Sequence, residues 1–273
     1  MKTKWFNEKT VIITGASSGF GKILSTKLIK NYGCKVIGIA RTLSKLEQLK
    51  KELGDNFSFY AFDAGNQQNW ESLASTLKEQ NIQVDILINN AGVLPPFCKF
   101  DKMPSSSIES VMQTNFFASV YSIKALIVQL KQSKTPAIIN VASSAALATV
   151  AGSTGYSASK SALKSFTQSL ILEYPEIYVS IVCPGFAKTD IFRSQAQTTE
   201  KESKLINAVC SSPDKIVNSM INAIAKKKKR VVLGLDAHAM DIFGRIMPKT
   251  TDKLIYTILK KANISLFNDV FNQ

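Results

Sequence analysis

Seven short apolar runs recur along the chain, separated by longer amphipathic segments, and this alternation constrains the fold more than any other feature. The runs are Val11–Ile13, Lys35–Ile39, Phe57–Phe62, Ile86–Ile88, Ala137–Val141, Tyr178–Val182 and Arg230–Leu233. The stretches between them carry helical patterning around 19–31, 43–53, 67–80, 106–132, 155–173 and 213–226. Strands alternating with helices of this length build βαβ units, and nearly continuous apolar strands imply a parallel sheet covered on both faces. The expected fold is therefore α/β: a Rossmann-like, doubly wound, seven-stranded parallel sheet.

A chain of 273 residues with 45% hydrophobic content fits one domain with a substantial core. Residues 1–236 are expected to form that domain, with a substrate loop at about 186–212 after the sixth strand. Residues 237–273 read as a C-terminal amphipathic helical extension of it. Two segments meet near Pro248, with Met240, Phe243 and Met247 on one face and Leu254, Ile255, Ile258 and Leu259 on the next. Core packing or burial in a dimer is the plainer account of these faces; contact with a membrane surface is the sharper one.

The apolar runs are broken before membrane-spanning length, and Met1–Thr10 lacks the apolar core of a secretory signal. A cytoplasmic protein is expected. Cys34, Cys98, Cys183 and Cys210 are scattered, and His238 is the only histidine, so no metal site is expected and a histidine-based triad is disfavoured. Acid–base chemistry must then come from Tyr, Lys, Asp or Glu. The net charge is +14, with Lys226–Arg230 as its densest block. Such a block reads as a solvated helix end, and without interleaved aromatics it does not read as a nucleic-acid site.

Tyr156 and Lys160 stand four residues apart on a segment of helical pattern, hence on one helix face. A free phenol titrates near ~10, and a neighbouring cation would lower that value toward usefulness in proton transfer. Thr14-Gly15-Ala16-Ser17-Ser18-Gly19-Phe20-Gly21 follows the first strand and opens the first helix. Glycines there admit a tight turn and close backbone approach to a pyrophosphate, which the N–H groups of the helix start would hold. The second strand ends in Ala40-Arg41-Thr42 with no acid. A carboxylate at that point would hold a ribose 2′-hydroxyl, whereas Arg41 suits a 2′-phosphate, so NADP(H) is expected rather than NAD(H). Asp63, after the third strand, is a candidate acceptor for the adenine amino group.

These residues together resemble the short-chain dehydrogenase/reductase family in its single-domain form. The resemblance covers residues 8 to about 235. It rests on Thr14, Gly15, Gly19 and Gly21, on Asn89-Asn90-Ala91-Gly92, on Asn115, on Ser143, on Tyr156 with Lys160, and on Pro184-Gly185 with Thr189. It implies hydride transfer between a nicotinamide and a carbonyl or alcohol carbon. Tyr156 would be the general acid/base, Ser143 the donor to the carbonyl oxygen and Asn115 the anchor of a proton relay. Lys160 would tune Tyr156 and grip the ribose. Ser144 competes with Ser143 but misses the family's offsets by one. The implied cofactor contacts run through Gly15, Ser17, Ser18, Gly19, Phe20 and Gly21, then Arg41, Asp63, Asn89, Ala91, Gly92, Tyr156, Lys160, Pro184, Gly185 and Thr189. A homodimer or homotetramer is also implied. Small carbonyl or alcohol substrates head the readings, followed by 3-oxoacyl thioesters on an acidic carrier and by steroid or lipid ketones. Phe97, Phe100 and Phe186 are expected near the pocket. A non-catalytic NADP-binding sensor stays as the alternative from another class.

Overall fold

The computed structural model describes residues 4–187, 210–262 and 264–271. One sheet contains β1 (Thr10–Thr14), β2 (Lys35–Ala40), β3 (Phe57–Ala61), β4 (Ile86–Asn89), β5 (Ala137–Val141), β6 (Tyr178–Pro184) and β7 (Arg230–Leu233). Their order is β3-β2-β1-β4-β5-β6-β7, with every neighbouring pair parallel. The chain starts at the centre, winds outward to β3, and returns beside β1 to wind the other way. That reversal between β1 and β4 opens a crevice at the strands' carboxyl ends, where ligands of such sheets bind.

Alternation along each strand divides the core in two. Val11, Ile13, Ile86, Ile88 and Ile139 point to one face and pack on α1 (Gly19–Tyr32), α2 (Leu43–Leu53) and a helix at Pro213–Ala225. Ile12, Ile37, Leu87 and Ile138 point to the other, against Trp70, Leu73 and Leu77 of α3 (Gln67–Glu79) and the helices that follow. The doubly wound sheet expected from the sequence is the observed one.

Three features differ from the sequence reading. The single helix expected at 106–132 is instead α4 (Ser105–Met112), a π-helical turn at Gln113–Phe117, and α5 (Ala118–Leu130). The wider turn inserts one residue into the helical ladder, and Asn115 sits on it. The run Ser105–Leu130 is also long and apolar enough by composition to cross a membrane, yet it lies against α3 and α6 (Thr154–Glu173) in the fold. Third, the basic block is not wholly solvated. After α7 (Pro213–Ala225), Arg230 turns back and forms a bidentate pair with Asp241, at 2.7 and 2.5 Å.

Beyond β7 the chain forms α8 (Leu235–Ile246), α9 (Thr251–Ala262) and α10 (Asn268–Phe271). The faces expected there are split. Met240 is buried, whereas Phe243 and Met247 are exposed. On α9, Ile255 and Leu259 pack inward on Phe97, Val150 and Phe267, while Leu254 and Ile258 face outward.

Candidate active site

The crevice holds a cleft running from the glycine turn to Tyr156 and Lys160. Gly15, with φ +67, makes the turn out of β1, and its N–H donates to Ile39 O at 2.8 Å. Gly21 lies so close beneath that a Cβ on it would sit 2.1 Å from Gly15 O. Thr14 ties this turn to the segment after β4: its Oγ1 accepts the N–H groups of Asn90 and Ala91, both at 2.9 Å, and its carbonyl accepts Asn90 Nδ2. The result is a backbone-walled cradle at the start of α1, lined by Gly15, Ser18, Gly19, Phe20, Asn90, Ala91 and Gly92. An anionic pyrophosphate fits such a cradle, because the helix start offers unpaired N–H groups and the glycines leave the space free.

At the other end, α6 carries Tyr156 and Lys160 into the cleft, and Ser143 follows β5. Burial pushes the Tyr156 phenol above its ordinary value, and a side-chain hydrogen bond with Ser143 works against that rise. Lys160 is 3% exposed, and its Nζ donates to Val141 O at 3.0 Å. Burial lowers its pKa to about 8. Its Nζ stands 6.0 Å from the Tyr156 ring centre. Burial and the Ser143 hydrogen bond are thus the causes of the Tyr156 shift in this structure.

Asn115 Oδ1 accepts the Val93 N–H at 2.8 Å, and its Nδ2 donates to Val93 O and Ser159 Oγ. A Cβ on Gly92 would meet Lys160 Nζ at 3.2 Å and Asn115 Oδ1 at 3.3 Å, so Gly92 keeps open the point where the three converge. Ser144 also borders the cleft, but the bond to Tyr156 belongs to Ser143. Pro184 and Gly185 close one wall.

Some expected site residues are not among those lining the cleft. Asn89 is 2% exposed and its side chain is spent inside the sheet, donating to Asn140 Oδ1 and accepting from Ser122 Oγ. It braces β4 against β5 and does not line the cleft. Ser17 is not among the cleft's lining residues, and Arg41 and Asp63 stand exposed at the ends of β2 and β3. The Asp63 carboxylate accepts the Gly65 N–H at 2.8 Å, closing a local turn. Phe97 and Phe186 line the cleft, but Phe100 is 65% exposed. Thr189 and most of the loop expected at 186–212 lie outside the described residues.

Asp236 was not legible in the sequence. Its carboxylate accepts the Phe186 N–H at 2.7 Å and fills the space a Gly185 side chain would need, 2.1 Å from a Cβ there. Burial raises its pKa. It fastens the start of α8 behind the Pro184–Gly185 wall. No spacing rule marks an acid after β7 for that role.

Comparison with known proteins agrees with this architecture. The short chain dehydrogenase profile matches residues 9–200. The chain is 31% identical over 241 residues to the 3-oxoacyl-(acyl-carrier-protein) reductase FabG of Buchnera aphidicola, covering 85% of this chain and 96% of that protein. It is 27% identical over 242 residues to the 3-ketodihydrosphingosine reductase of Bos taurus, covering 84% and 72%. A short-chain dehydrogenase/reductase from Burkholderia phymatum, solved in complex with NAD, superimposes with a TM-score of 0.77 at 22% identity, covering 91% and 96%.

Proposed function

Because the chain belongs to the short-chain dehydrogenase family of oxidoreductases, we propose that it is an NADP(H)-dependent carbonyl reductase with Tyr156 as proton donor. The observation that carries this is the meeting of Tyr156, Ser143 and Lys160 in one cleft continuous with the glycine cradle. When bound, the dinucleotide supplies hydride chemistry at its nicotinamide ring. Gly15, Gly19, Gly21 and the Asn90–Gly92 segment would hold its pyrophosphate and neighbouring ribose, and Arg41 its 2′-phosphate. Arg41 is exposed and offers a planar fork of donors, with no acid beside it at the end of β2. The Burkholderia structure carries NAD, so the fold leaves the choice of dinucleotide to this local chemistry.

The remaining chemistry belongs to the chain. Ser143 donates a hydrogen bond to the substrate's carbonyl oxygen as charge gathers on it. Tyr156 transfers its hydroxyl proton to the same oxygen, converting alkoxide to alcohol. The Tyr156 phenol is protonated at neutral pH, as the proton donor of a reduction must be. Lys160, still largely protonated at neutral pH with a value of about 8, returns a proton to Tyr156 from the Asn115 side. Leu94, Phe97, Val150 and Phe186 along the cleft favour a ketone with an apolar body.

Incubating the purified protein with NADPH and a panel of apolar ketones and aldehydes tests the proposal. Ketone-dependent NADPH oxidation is expected. If NADPH binds but no carbonyl consumes it, the non-catalytic sensor reading replaces this one.

A further inference from the structure

The exposed apolar residues are unevenly distributed. Of the thirteen large hydrophobic side chains exposed among the described residues, eight fall between Leu235 and Ile258. Ile242, Ile246, Phe243 and Met247 form two pairs one helical turn apart at the end of α8, and Leu254 and Ile258 form another on α9. Ile246 is 73% exposed and Ile258 57%. These are not the loose ends of an unfastened tail. Ile255 and Leu259 pack inward, Asp252 accepts the Thr149 N–H at 3.1 Å, and Phe267 packs at a tilt on Phe97 at 4.6 Å between ring centres. The inner faces are fixed and the outer faces are apolar, which is an arrangement that needs a cover.

The charge around this surface indicates which cover. Between Asp241 and Ala262 stand Arg245, Lys249, Lys253, Lys260 and Lys261 against Asp241 and Asp252; Arg245 pairs with Asp241 at 3.0 Å, which leaves four lysines against Asp252. All five cations are exposed. An isologous contact between two copies would set this excess of positive charge against itself. An anionic bilayer answers both properties: acyl chains take the apolar side chains, and headgroups take the lysines that ring them.

We propose that the outer faces of α8 and α9 dock the protein on anionic lipid bilayers. The same helix, α9, carries Leu254 and Ile258 outward and packs Ile255 and Leu259 against the cluster holding Phe97 and Leu94 of the cleft. Docking therefore sets the apolar end of the cleft beside the membrane. The proposal does not depend on the choice of cofactor or on turnover.

Co-sedimentation of the full chain with phosphatidylcholine vesicles, with and without phosphatidylglycerol, tests it. Binding is expected only with phosphatidylglycerol, and it should weaken as salt rises from ~0.1 to ~1 M, because the Debye length shrinks from about 10 to about 3 Å. The pair Ile246→Glu and Ile258→Glu should reduce partitioning roughly tenfold or more. Both side chains are surface residues, and an unchanged circular dichroism melt confirms folding. Lys226→Glu with Lys228→Glu, on the basic block before β7, should change partitioning less than about threefold. The proposal is overturned if the chain ignores anionic vesicles at low salt. It is overturned equally if the isoleucine pair binds as well as the parent chain. It also fails if light scattering shows that the same pair splits a stable oligomer which does not bind vesicles.

Discussion

The two ends of the cleft are built on different principles. At the cofactor end, position is set largely by backbone: Gly21 against the Gly15 carbonyl, and the Asn90 and Ala91 amides on Thr14 Oγ1. At the substrate end, position is set by side chains: Phe97 against Phe267, Val270 beneath Gly152, and the Asp236 carboxylate behind Gly185. Backbone clearance can be met by one residue type only, so it writes a motif. Aromatic packing can be met by many combinations, so it writes none.

The largest expected effect is at Gly21. A methyl group there would sit 2.1 Å from Gly15 O, and neither backbone can yield. Gly21→Ala should abolish NADPH binding, read by fluorescence titration, and lower stability by about 1–3 kcal/mol. Gly185→Ala meets a side-chain carboxylate at the same 2.1 Å, which can rotate away, so binding should persist, weakened. Equal losses at both would break the contrast.

Next comes Arg41. Arg41→Asp should weaken NADPH binding roughly 10- to 100-fold while leaving NADH binding little changed, the range expected for losing hydrogen bonds to a charged group. Unaltered discrimination between the two dinucleotides would remove the NADP(H) assignment.

At the substrate end, Phe97→Ala should raise KM for apolar ketones roughly tenfold, since a buried aromatic wall is lost. The NADPH dissociation constant should stay within about twofold. A change in NADPH affinity matching the change in KM would mean that the two ends are not separable.

The smallest effect is the pH response of Lys160. Its value falls from the ordinary 10.5 to about 8 on folding, so the folded chain gives up this proton first as pH rises. The burial penalty is in full force below about 8 and is relieved between about 8 and 10.5, so this residue's contribution to stability improves with pH over that window. Activity should run the other way, with kcat/KM for reduction falling through a midpoint near 8 as the ammonium is lost. A Lys160→Met variant without that alkaline limb would support the assignment, and one that keeps it would move the titration elsewhere.

The sheet was legible because each strand is a short apolar run and each crossover a helix-length amphipathic segment. The placement of the glycine turn, Ser143, Asn115, Tyr156 and Lys160 around one cleft was legible because it depends on spacing along single elements or at strand ends. The place of the Asn89 side chain was not legible, because it depends on partners from other elements: its amide meets Asn140 and Ser122 inside the core. Spacing places Lys160 near Tyr156 but does not report that both are buried, and burial is the first cause of both shifts. Asp236 stayed hidden because its partner, the Phe186 amide, is fifty residues away in sequence. The tail's two-faced helices were visible as periodicity, but which face turns inward depends on the aromatic cluster they meet.

The central claim is that Tyr156 transfers the proton while other groups hold the cofactor. Comparing Tyr156→Phe with the parent chain, for NADPH affinity and for single-turnover ketone reduction on the same preparation, tests it most directly. The account predicts an NADPH dissociation constant within about threefold of the parent and a reduction rate lower by roughly 10²- to 10⁴-fold, the usual range for losing a general acid. A variant that binds NADPH and reduces the ketone at the parent's rate would contradict it.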